Sequence, residues 1–92
     1  MSENIHAAIE RIERMERLFD DVSACLRNAP ENIALPSIQR AIEALSEYLS
    51  SGDWLHDYTL DEQRKLPDGL KRGVLSQDGL HDMLCTLREQ SL

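Results

Sequence analysis

A chain of 92 residues has room for one domain with a single modest core, hiding about 60–65% of the surface that its unfolded form exposes. The apolar fraction is an ordinary 41% but aromatics are only 4%, so the core must be built from Leu, Ile, Val and Met. A net charge of −7 without a segregated basic patch argues against direct nucleic-acid binding, and no apolar run approaches the ~18 residues of a membrane span.

The start, Met-Ser-Glu-Asn-Ile-His, has neither the basic end nor the apolar run of a secretory signal, which points to a cytoplasmic protein. From there Ile5, Ala8, Ile12, Met15, Phe19, Val22, Leu26 and Ala29 recur at spacings alternating three and four. This heptad seam predicts one long helix packed along a stripe, broadened by Ile9, Leu18 and Cys25. Outside the stripe, Glu10 with Arg14 and Glu13 with Arg17 stand at i, i+4 in the favourable acid-first order, each pair contributing about 0.3 kcal/mol. Together with Glu16 they neutralise the Arg11, Arg14, Arg17 row, which reads as a solvated face.

Pro30 disfavours helical geometry at Ala29 and ends this helix. Leu35, Ile38, Ile42, Leu45 and Leu49 predict a second, with Pro36 in or near its first turn, where a missing N–H costs nothing. The short connection makes residues 1–52 an antiparallel helical hairpin. At ~1.5 Å per residue the helices are roughly 37 and 25 Å long, so the stretch from Ile5 to Ile12 overhangs its partner. Its cover has to come from residues 53–92 or from a second copy of the chain.

Ser50-Ser51-Gly52 stops the second helix, with Gly52 suited to a left-handed cap. Asp53 can cap a short helix through about Gln63 that places Trp54, Leu55 and Tyr58 on one side. Leu66-Pro67-Asp68-Gly69 reads as a turn, Gly73 as a candidate for positive φ, and Ser76 as the N-cap of a last helix with Asp78 in its first turn. That helix offers Leu80, Met83, Leu84 and Leu87 as its apolar stripe, and Gly79 weakens its first turn. The expected architecture is all-α: one domain, with the hairpin packed against a short third helix and a C-terminal helix.

The series Trp-Leu-x-Asp-Tyr, Leu-Pro, Lys-Arg-Gly-Val-Leu-Ser-x-Asp resembles a family of small bacterial and phage proteins, domain of unknown function 4298. The positions that carry the resemblance are Trp54, Asp57, Tyr58, Asp61, Leu66, Pro67, Arg72, Gly73, Val74, Leu75, Ser76 and Asp78. Thr59 and Gly79 depart from the family's pattern. The resemblance implies the same layout, a charged hairpin followed by this block, and no activity.

No catalytic signature is spelled. Asp53, Asp57 and Asp61 at i, i+4, i+8 would share a helix face and, with His56, offer hard-cation ligands for a metal-assisted hydrolase; the competing reading is a solvated or ion-paired face. His81 and Cys85 at i, i+4 make only half a transition-metal site, and neither Cys25 nor Cys85 has a Cys-x-x-Cys partner, so both thiols read as buried and inert. No cofactor and no metal is expected. Arg72 is a candidate bidentate partner of Asp57 or Asp61, tying the Trp helix to the last turn as a clasp. Trp54, Leu55 and Tyr58, ringed by Asp57, Asp61 and Arg72, form either a partner-binding hot spot or a plug for the open end of the hairpin. The leading expectation is a non-enzymatic protein-interaction or regulatory module, self-associating through the hairpin. The alternatives are the metal-assisted hydrolase and an acidic mimic that occupies a nucleic-acid-binding protein.

Overall fold

The computed structural model describes residues 5–76 and 79–90, with side chains as far as Leu87. It is all-α, with four helices packed together and no strand among the described residues. Helix α1 spans Ile5–Asn28, α2 Pro36–Ser50, α3 Asp53–Glu62 and α4 Gly79–Gln90, with short 3-10 turns at Pro30–Ala34 and Gly73–Leu75.

The predicted hairpin is present. Helix α1 runs unbroken along its seam, burying Ala8, Ile12, Met15 and Val22. Against it α2 buries Ala41, Leu45 and Tyr48. The 3-10 turn between them begins at Pro30, which has no N–H to leave unpaired, and Leu35 caps α2 in the extended conformation that Pro36 imposes on its predecessor. Leu35 therefore leaves the apolar row expected of it and is 48% exposed, while Ile33 from the turn packs against the core.

The overhang of α1 is covered within one chain: Ala8 and Ile12 are fully buried, and Ile5 and Ile9 pack against the core. A second copy is not needed for that purpose. Gly52, at φ +96°, forms the joint between α2 and α3, a left-handed conformation that costs a residue with a Cβ about 1 kcal/mol or more. It also makes Gly52, rather than Asp53, the residue that caps α3: the His56 N–H donates to the Gly52 carbonyl, and Asp53 falls in the first turn.

Helix α3 is turned from its expected orientation. Its buried residues are Trp54, Asp57 and Leu60, whereas Leu55 is 60% exposed and Tyr58 half-buried. The helix ends in a Schellman arrangement, with the Arg64 N–H donating to the Asp61 carbonyl and the Lys65 N–H to that of Leu60. The residue at the left-handed position of this motif, usually glycine, is Arg64 at φ +58°. Beyond it, Leu66 is buried and the Leu70 N–H donates to the Pro67 carbonyl, closing a turn.

Helix α4 lays Leu80, Met83 and Leu87 into the core, with Leu84 partly buried. Ser76 stands at its start and accepts a hydrogen bond from the Gly79 N–H at 3.0 Å. The position expected for Asp78 lies outside the described residues.

Candidate functional site

Asp57 is the most deeply buried charged group among the described residues. It is fully buried, yet its carboxylate has three donors from two other helices. The Arg11 guanidinium grips both oxygens, with Nε 2.9 Å from Oδ2 and Nη2 on Oδ1. The Tyr48 hydroxyl donates to Oδ2 at 2.6 Å. A charged group survives in a low-dielectric interior only with such a counterion and saturated hydrogen bonds. Burial, then the bond to Asp57, push the Tyr48 phenol far above its ordinary 10.0, so it remains a donor at any working pH. Arg11, Tyr48 and Asp57 thus join α1, α2 and α3 at one point. This also explains the turned α3: bringing Asp57 inward rotates Leu55 outward.

A second buried carboxylate holds the Gly73–Leu75 turn. Glu16 is 5% exposed, and its oxygens accept from the Gly73 N–H at 3.2 Å and the Val74 N–H at 2.7 Å. The leading amides of this turn lack partners within it, so the carboxylate completes them. Gly73 does not have positive φ; the only glycine that does, among the described residues, is Gly52. What position 73 requires is the absence of a Cβ, since one would meet Glu16 Oε1 at 2.7 Å. One helical turn further along α1, Asp20 pairs with Lys71 Nζ at 2.8 Å and raises the Lys71 pKa by that contact.

With Gly73 fixed, Val74 and Leu75 are buried, and the Val74 carbonyl accepts the Trp54 indole N–H at 2.9 Å. Trp54 stacks on Tyr58 with ring centroids 5.0 Å apart and meets the His81 edge at 5.9 Å. Its indole N–H is thus spent inside the chain. The Glu62 carboxylate, one helical turn on from Tyr58, raises the Tyr58 pKa. Arg72 pairs with Asp61, Nε to Oδ1 2.7 Å, as a charge contact without an aligned hydrogen bond, and donates through Nη2 to the Pro67 carbonyl. It does not pair with Asp57, whose partner is Arg11 instead.

Three residues of this constellation were not legible as such: Arg11, Glu16 and Tyr48. The signal existed. Glu16 stands four after Ile12 and seven after Ile9, and Arg11 three after Ala8 and four before Met15, so both border the apolar stripe instead of the solvated face. The carboxylates of Asp53, Asp57 and Asp61 do not gather as a cation site: Asp53 is exposed, Asp57 is enclosed and Asp61 is paired. Among the described residues no group of three or more His, Cys, Asp or Glu side chains is placed to hold a metal ion.

A groove of about 770 Å³ lies open between α2 and α4, within the size range of binding clefts. Ile42 and Leu49 of α2 and Leu84 and Leu87 of α4 face it, and Ile33 also lines it. Ser46, Ser50 and Gln39 supply its polar atoms together with His81 and Cys85, and no Asp, Glu, Lys or Arg among the described residues lines it. Cys25 is buried as expected, but Cys85 is exposed here, because its position on α4 is opposite the face formed by Leu80, Met83 and Leu87. Both thiols are free. His81 belongs both to the groove and to the Trp54 contact, so the aromatic cluster underlies one end of the groove.

Three helices joined at a buried carboxylate, a fourth packed on them through apolar side chains, and an open groove between α2 and α4 define a small all-α domain. A family model described as Domain of unknown function (DUF4298) matches residues 12–91, and the chain belongs to that family. Comparison with curated proteins and with solved structures finds no match. No helix among the described residues is long and apolar enough to cross a membrane.

Proposed function

We propose that this protein is a non-enzymatic interaction module of the cytoplasm, docking another protein in the groove between α2 and α4. One observation carries the reading. The buried charged groups Asp57 and Glu16, with Arg11, are consumed in holding the fold together, while the groove between α2 and α4 is mainly apolar, accessible and without a formal charge along its described lining. Chemistry needs a polar group free to act on a substrate, whereas recognition needs desolvatable apolar area with a few oriented polar atoms. The exposed Leu55 and half-buried Tyr58 extend the accessible apolar surface near the aromatic cluster; Trp54 and Asp57 support that surface from beneath.

Site-specific crosslinking in the native cell tests this. A photoreactive residue placed at Ser46, in the groove, is expected to give a discrete protein adduct that the same residue at exposed Glu13, outside the groove, does not give. Identical adduct patterns from both positions, or none from either, contradict the reading.

A further inference from the structure

The groove's surroundings narrow the kind of partner. On α2 the lining residues Gln39, Ile42, Ser46, Leu49 and Ser50 are bordered by Glu43 and Glu47, four residues after Gln39 and three before Ser50 respectively. Both glutamates are exposed, and so is Asp82, next to the groove residue His81 on α4. The charged side chains described on α2 and α4 are these three acids and one base, Arg40. An uncharged, mainly apolar trough is therefore bordered by three acids and one base among the described residues, a net −2, on a chain of net charge −7.

From Gln39 to Ser50 the lining spans about 16 Å at 1.5 Å per residue, three turns of helix. That length fits a docked helix that inserts aliphatic side chains at i, i+4 and i+7. Resting on the interaction reading above, we propose that the groove receives a basic amphipathic helix of a partner protein, aliphatic side chains inside and Lys or Arg against Glu43 and Glu47. The other occupants are disfavoured by charge. A second copy brings the same acids to the contact, and an anionic lipid surface or a nucleic acid is repelled by them.

The probe is a fluorescein-labelled, Trp-free, 14-residue peptide of leucines on one helical face and lysines on the other, with a twin carrying glutamates in place of the lysines. Anisotropy titration of the purified full chain is expected to show the lysine peptide binding at least about tenfold tighter, a preference that shrinks as salt rises. Ser46→Arg places a cation in the groove at an exposed position and is expected to weaken binding at least about tenfold. Gln63→Arg, an equal charge change outside the groove, is expected to leave it within about twofold. Glu43→Lys with Glu47→Lys should reverse the preference between the two peptides. Emission of Trp54, the only Trp, should change on binding because its neighbour His81 lies in the groove. Equal binding of the two peptides, or equal effects of Ser46→Arg and Gln63→Arg, overturns the proposal. So does a dimer in sedimentation that Ser46→Arg dissolves, which would assign the groove to a second copy. A groove-specific adduct in the cell combined with no lysine preference would sink the partner's chemistry alone; loss of both would sink the module reading as well.

Discussion

Residues 5–50 and residues 53–76 reach their packed states by different physics. The hairpin is held by an apolar seam in which fully buried Ile12, Val22 and Leu45 contribute about 1.5–3 kcal/mol each. Such burial is non-directional and proportional to area, so a regular repeat suffices to specify it. The block that follows is a short helix and turns whose buried Leu60, Leu66, Val74 and Leu75 follow no regular repeat, and it is fastened in addition by directional polar bonds: Arg11 and Tyr48 on Asp57, Glu16 on the Gly73 and Val74 amides, the Trp54 indole on the Val74 carbonyl. A seam tolerates aliphatic exchange, whereas a buried polar clasp fails when one partner is removed.

That contrast is sharpest at the three-helix junction. Asp57→Ala removes the carboxylate that Arg11 and Tyr48 share and is expected to cost about 2–4 kcal/mol, somewhat less than the loss of a fully buried pair because Arg11 keeps 22% of its side chain in solvent. Thermal unfolding checks this, each kcal/mol shifting Tm by about 4–8 °C. Ile12→Val, a one-methylene change at a fully buried seam position, is the comparison and should cost about 0.5–1.5 kcal/mol. Equal losses would erase the distinction between the two regions.

Next in size is Glu16→Ala, which strands two amides and should destabilise by about 2 kcal/mol, with faster hydrogen exchange at Gly73 and Val74 than at the α1–α2 seam. Gly73→Ala should act in the same direction by displacing the Glu16 carboxylate, and the two losses should not add.

Alkaline pH separates the regions again. The folded Tyr48 pKa lies above its unfolded value of 10.0, so above that pH the unfolded chain gives up this proton while the folded chain retains it. The folded state then binds more protons, and stability is fully present below pH 10 and falls as pH rises beyond it. Lys71, also raised by its contact with Asp20, acts with the same sign at the surface. Urea unfolding of Tyr48→Phe across this window should show a shallower decline than the parent, while a seam variant such as Ile12→Val keeps the parent's slope.

The smallest effect is a gain. Arg64 holds a left-handed conformation at the end of α3, and Arg64→Gly should stabilise by up to about 1 kcal/mol in thermal unfolding. Loss of stability instead would show that the Arg64 side chain contributes more than its backbone conformation costs.

The same contrast explains what could be read from the chain. Helices α1, α2 and α4 were legible because their apolar residues recur at three and four, and the breaks at Pro30 and Gly52 are local chemistry. The orientation of α3 was not, because it depends on Arg11, 46 residues away, and no local pattern encodes that distance. Gly73 was legible as a special position but for a different reason, since the approach of Glu16 is a long-range fact. The groove depends on where α4 lies against α2, which no residue spacing reports. Cys85 shows the same limit: its adjacency to an apolar stripe says less than the side of the helix it occupies.

The most direct test of a block held by a buried polar junction is a double-mutant cycle between Arg11 and Asp57, using Arg11→Met, Asp57→Leu and the pair, read by urea unfolding. A coupling of about 2 kcal/mol or more is expected, with the double variant much closer to the parent than Asp57→Leu alone. Strict additivity of the two losses would contradict it, and with it the view that α3 is turned and fixed by its aspartate.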